Sequence, residues 1–106
     1  MNTFRFGDSQ NTALLLFPER VIKAVHLNEL EIAILRMGLE FYAFQSTCPH
    51  RGASLIQAHI NANGEIICPL HQYRFELKTG VLKMGFCSDM KTFQTQLTDE
   101  GLLVFG

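Results

Sequence analysis

Long runs of any one kind are missing from this sequence, and each missing run removes a class of protein. The 9 Lys and Arg and 10 Asp and Glu leave a formal net charge of −1 and are scattered without a basic stretch. There is therefore no electrostatic footprint for nucleic acid or for an anionic membrane. The longest apolar stretch near the start, Ala13 to Phe17, is bounded by Thr12 and Pro18 and falls far short of the roughly 20 residues that a membrane-crossing helix needs. Neither a membrane anchor nor a signal peptide is expected. Cysteine is scarce and odd in number, at 3. That count does not make a disulfide framework and suits a reduced, cytoplasmic protein that uses thiolates for metal. Linkers and low-complexity tracts are also missing, so residues 1–106 are read as a single domain.

What the chain does have is 47% hydrophobic residues against 18% charged ones, the balance of a globular protein with a small core. A domain of this size buries only somewhat over about 60% of its unfolded surface, so a cofactor tying two loops together would add usefully to its stability. β-Branched and aromatic residues come in short runs punctuated by Gly, Asn and Asp, and no segment sustains a 3.6-residue apolar period. The pattern predicts an all-β chain. Leu30, Ile32 and Ile34 alternate with Glu31, Ala33 and Leu35, and Met37-Gly38-Leu39 then turns the chain into Phe41 to Phe44, a hairpin pattern whose strands read as half or fully buried. Asn63-Gly64 between Ser54-to-Ile60 and Glu65-to-Ile67 predicts a second hairpin with a tight turn. Tyr73 to Leu77, Phe93 to Leu97 and Leu102 to Phe105 read as further strands, the last two joined by Thr98-Asp99-Glu100-Gly101. Helical turns could begin only near Ser9 to Thr12 or Asn28-Glu29. Many short strands with frequent turns mean a sandwich or a barrel-like arrangement.

One internal echo carries chemistry. Cys48-Pro49-His50 is answered by Cys68-Pro69-Leu70-His71, with seventeen residues between His50 and Cys68. Each pair follows a predicted strand and opens a proline-containing turn. A thiolate and an imidazole two or three residues apart in a bend let the sulfur point inward while the imidazole lies nearer the loop tip. Two such loops facing each other offer two Cys to one iron and two His to the other. A Cys2His2 zinc site takes the same ligand types, but common zinc modules pair like with like, whereas each short pair here mixes one Cys with one His. His26 and His59 have no partner of ligand type at a useful spacing and are read as surface residues.

The stretches Cys48-Pro49-His50-Arg51-Gly52-Ala53-Ser54-Leu55 and Cys68-Pro69-Leu70-His71, continuing through Tyr73-Arg74-Phe75-Glu76-Leu77-Lys78-Thr79-Gly80, resemble the cluster-binding loops of Rieske ferredoxins and of oxygenase Rieske domains. The strong resemblance covers about residues 45 to 80. It implies an antiparallel β-sandwich with a small cluster-binding subdomain formed by two loops. It also implies a [2Fe-2S] cluster held by Cys48, His50, Cys68 and His71. The function implied is one-electron transfer from a reductase to a terminal oxygenase or other redox enzyme, by a carrier expected to be monomeric on its own. A small non-catalytic subunit of a larger reductase, such as a nitrite reductase, is the alternative within the family; a zinc-stabilised binding module is the non-redox alternative. No catalytic domain of its own is expected in a chain of this length.

Compared with the respiratory and photosynthetic members, Ala53 and Leu70 stand where the resemblance places an extra disulfide, and Tyr73 and Phe75 where it places a Ser and a Tyr that bond sulfur. A hydrogen bond to a charged acceptor contributes about 1.5–3 kcal/mol, so losing one donor lowers the potential by up to roughly 60–130 mV. The low end of the Rieske range, about −150 to +300 mV, is therefore expected. Gln72 stands where the family often has Gly, and no proline-rich cover lies between Val81 and Thr92. Met84, Phe86 and Met90 in that segment read as ordinary core or strand residues, with an apolar cover over the cluster as the alternative; Cys87 reads as a partly buried thiol. Arg51 and Gln72, beside the ligand histidines, read either as docking-rim residues or as solvated ones.

Overall fold

Alternation in one strand organises the molecule. In Leu30–Met37 the four central residues Ile32, Ala33, Ile34 and Leu35 are all fully buried, yet they do not share a core. Successive side chains of a strand point to opposite faces. Accordingly Ala33 and Leu35 pack with Phe44, Cys48, Leu55, Ile66, Cys68 and Phe75 on one side, while Ile32 and Ile34 pack with Ala13, Phe17, Phe41, Leu102 and Val104 on the other. The strand is a wall between two cores, and the first of them contains both candidate cysteines.

The computed structural model describes residues 2–49 and 51–106. In chain order the strands are β1 (Thr3–Phe6), β2 (Ile22–Leu27), β3 (Leu30–Met37), β4 (Glu40–Gln45), β5 (His59–Ile60), β6 (Glu65–Ile67), β7 (Arg74–Glu76), β8 (Leu82–Met84), β9 (Thr92–Thr98) and β10 (Gly101–Phe105), with one helix, α1 (Gln10–Leu16), after β1. The larger sheet runs β1-β10-β9-β4-β3-β2 and the smaller one β5-β6-β7-β8, all through antiparallel pairings. The all-β expectation holds. No helix among the described residues is long and apolar enough to cross a membrane.

The predicted hairpin about Gly38 is present, with Met37 opposite Glu40, as is the terminal one, with Gly101 opposite Thr98. The helical turn near Ser9 continues for seven residues, because the Ser9 hydroxyl accepts the amide of Thr12 at 3.1 Å and caps the first turn.

The hairpin around Asn63-Gly64 differs from its prediction in two ways. Its first strand is only His59–Ile60, since the Ser54 hydroxyl accepts the amide of Ile56 at 3.2 Å and starts a 3-10 turn over Leu55–Gln57 that sinks Leu55 into the core. Its loop is four residues long, Asn61 to Gly64. The Asn61 side-chain oxygen accepts the amides of Asn63 and Glu65, both at 3.0 Å, so a side chain performs the turn that two backbone residues were expected to make.

Candidate metal centre

The two Cys/His loops are the tips of two β-hairpins. The second is plain from the ladder: β6 ends at Ile67, paired with Arg74 at the start of β7, and residues 68–73 form the tip. The first projects from the end of β4, where Thr47 bridges to Ser54 and the amide of Leu55 donates to the carbonyl of Ser46 at 2.8 Å, leaving residues 48–53 as its tip. Both tips are closed across the same step. The Cys48 amide donates to the Ala53 carbonyl at 2.7 Å, and the Cys68 amide donates to the Tyr73 carbonyl at 2.8 Å.

Within the first tip the Gly52 amide also donates to the Cys48 carbonyl at 2.8 Å, with Gly52 at φ 72°, a conformation that glycine adopts without steric cost. The second tip reaches a comparable bend without glycine: His71 at φ 67° and Gln72 at φ 59° are both left-handed. That region disfavours side-chain-bearing residues by roughly 1–2 kcal/mol each.

Cys48 and Cys68 are 2% and 0% exposed and lie in one core cluster. His71 is exposed at the second tip. Sulfur inside and imidazole outside is the division expected of the mixed pairs. His50 lies outside the described residues. Among the described residues no three His, Cys, Asp or Glu side chains are grouped as a site for a single ion. A two-iron centre divides its ligands, cysteines to one iron and histidines to the other, so it does not ask for such a group. The donor set and the shared burial of the two cysteines fit that centre.

Around the tips, Pro69, Leu70, Arg51 and Gln72 are exposed. The segment between Val81 and Thr92 is divided in its roles. Met90 is 2% exposed and packs in the core with both cysteines, whereas Met84 is half exposed and Phe86 is 94% exposed. Only Met90 is thus a core residue. Cys87 packs partly against the same core and donates to the Ser88 carbonyl at 3.2 Å. Burial, then the Asp89 carboxylate, then Cys68 push its thiol above the ordinary value. His26 and His59 are exposed on strands, as read from the sequence.

Two hairpin tips, each with a buried cysteine closed by the same backbone bond, define a two-loop cofactor-binding domain on a β scaffold. Residues 13–94 match the model of the Rieske [2Fe-2S] domain, and the chain belongs to that family. Its cofactor is a [2Fe-2S] cluster, which sets the zinc reading aside. The chain is 35% identical over 81 residues to the ferredoxin component of the naphthalene 1,2-dioxygenase/salicylate 5-hydroxylase systems of a Ralstonia species, covering 76% of this chain and 77% of that one. With other curated relatives the match spans less than half of their length, 44% and 46%. Among solved structures, the ferredoxin of carbazole 1,9a-dioxygenase from Nocardioides aromaticivorans IC177 superposes with a TM-score of 0.82 at 25% identity, covering 99% of this chain and 98% of that one. A small subunit of a nitrite reductase superposes at 0.80 with 18% identity over the whole of both chains, a likeness of fold alone.

Proposed function

We propose that this protein is a cytoplasmic one-electron carrier of a single domain, monomeric on its own, that takes electrons from a reductase and delivers them to a terminal oxygenase. Cys48, His50, Cys68 and His71 hold the cluster, within a subdomain spanning about residues 45–80. The observation that carries this reading is the pairing of two hairpin tips, closed by equivalent Cys48–Ala53 and Cys68–Tyr73 bonds, whose cysteines share one buried core. The oxygenase-system ferredoxin that aligns with three quarters of the chain supports the same role.

When bound, the cluster supplies a site that accepts and releases one electron. The residues of the chain do the rest. Cys48 and Cys68 supply thiolates from a region that excludes water, anchored by Ala33, Leu35, Phe44, Leu55 and Phe75. His71, on an exposed tip, presents the edge at which a partner approaches. Phe75, fully buried beside the cysteines, offers no hydroxyl to sulfur, which keeps the potential low.

The test is electron delivery: reduced protein mixed with an oxidised Rieske oxygenase should reoxidise in a single exponential phase that speeds up with oxygenase concentration, and should elute as a monomer beforehand. A protein that purifies only with a larger reductase chain and does not react with the oxygenase would instead be a reductase subunit.

A further inference from the structure

The second hairpin tip has a support that no ligand motif contains. One residue past β8, Gly85 takes φ 124°, and a Cβ built there would lie 2.3, 2.5 and 2.6 Å from Cδ2, Cε2 and Cγ of Tyr73. Contacts that short to three atoms of one ring mean that the ring of Tyr73 lies against the bare backbone of Gly85, in space that any side chain at position 85 would fill. The register Arg74↔Met84 brings the two residues together. Tyr73 is the last residue of the tip, and its carbonyl receives the Cys68 amide. Between Cys68 and Tyr73 stand His71 and Gln72, two consecutive side-chain-bearing residues in the left-handed region. Such conformations persist where the surroundings over-determine them. Here the Cys68–Tyr73 bond fixes one side of the tip, and the ring on Gly85 fixes the residue from which the strained pair departs.

We propose that Tyr73 is a positioning residue for the cluster: its ring, seated in the notch left by Gly85, locks the tip that carries His71 and so sets how firmly the cluster is held and at what potential. The part of Tyr73 to which this role is assigned is the ring seated on Gly85. The inference rests on the reading of Cys68 and His71 as ligands.

Four variants test it in the cluster-loaded protein: Tyr73→Phe, Tyr73→Leu, Gly85→Ala and the double Tyr73→Leu/Gly85→Ala. The readouts are the rate of cluster release to a chelator, the electron paramagnetic resonance g values and the reduction potential. Tyr73→Phe keeps the ring on Gly85 and should stay much closer to the wild type than Tyr73→Leu in all three. Tyr73→Leu and Gly85→Ala should each speed release by about tenfold, the size expected of a misplaced, partly buried ring, and shift the g values and potential in the same direction. The double variant should add little to either single one, as for two residues of one contact. A Tyr73→Phe protein that behaves like Tyr73→Leu overturns the proposal. So does a Gly85→Ala protein with a lowered melting temperature but unchanged release, g values and potential, as does additivity in the double variant. If Gly85→Ala does not fold, the contrast between Phe and Leu at position 73 decides alone. His71→Ala in the same series separates the two levels: retention of the wild-type spectrum would overturn the ligand assignment and this inference with it. Loss of that spectrum, together with an unaltered Tyr73→Leu protein, would overturn the positioning role only.

Discussion

The amide of Cys68 donates to the carbonyl of Tyr73 at 2.8 Å, closing a six-residue hairpin tip, and the Cys48 amide closes its own tip across the same five-residue step. This equivalence makes the sequence echo a structural one: each cysteine sits where a strand has just ended and its backbone is still held by a ladder-like bond. Its side chain is committed to the core while the residues that follow are free to bend outward.

The tip between Cys68 and Tyr73 bends without a glycine, and this sets the first prediction. Gln72, at φ 59°, should be replaced by glycine with a gain of up to about 1 kcal/mol, since relief of the left-handed strain is partly offset by the greater freedom of glycine in the unfolded chain. Gln72→Gly should raise the thermal midpoint and Gln72→Val should lower it, as followed by circular dichroism.

Phe75 is fully buried in the core that holds Cys48 and Cys68, so a hydroxyl introduced there would enter the core that the two thiolates share. Phe75→Tyr should raise the reduction potential, by up to roughly 60–130 mV if one charge-assisted bond forms. Protein-film voltammetry reads the shift; an unchanged potential would mean that position 75 does not address the sulfurs.

Phe44, on β4 opposite Ala33 of the wall strand, is fully buried against the same core. Phe44→Ala should cost about 3–5 kcal/mol, a large part of the roughly 5–15 kcal/mol that a domain commands. Phe86→Ser, at a ring 94% exposed, should stay within about 0.5 kcal/mol. Urea titrations of the two variants separate core from surface.

Cys87 should be slow to alkylate. Burial, Asp89 and Cys68 all raise its pKa, so at neutral pH its reactive thiolate fraction is below that of an ordinary cysteine and grows only as the pH climbs above the usual thiol range. Iodoacetamide labelling followed by mass spectrometry across alkaline pH checks this, and rapid labelling at pH 7 would contradict it.

Much of this architecture was legible in the residues. The pattern in Leu30 to Leu35 marked a half- or fully buried strand, which the structure makes the wall between the two cores, and the Cys/His echo marked the two tips. The signals failed where a side chain competes with the backbone. Ser54 and Asn61 each capture amides, converting an expected long strand into a 3-10 turn with a short strand, and a two-residue turn into four. β1, β2 and β8 were missed because they are short or largely solvent-facing, with burial alternating only weakly. The Tyr73–Gly85 contact joins residues twelve positions apart across a strand pair, and no local pattern announces it. A glycine flanked by Met84 and Phe86 reads as a turn until the ring against it is seen.

The most direct measurement is an electron paramagnetic resonance spectrum of the dithionite-reduced protein, with iron and sulfide analysis, taken beside His50→Ala, Cys68→Ala and His59→Ala. A rhombic signal with an average g below that of all-cysteine [2Fe-2S] ferredoxins is expected. Two irons and two sulfides per chain should accompany it, as the cluster formula requires. Both should be lost in the His50 and Cys68 variants and intact in His59→Ala. A His50→Ala protein with a normal cluster, or a wild-type protein with one zinc and no signal, would contradict the cluster assignment.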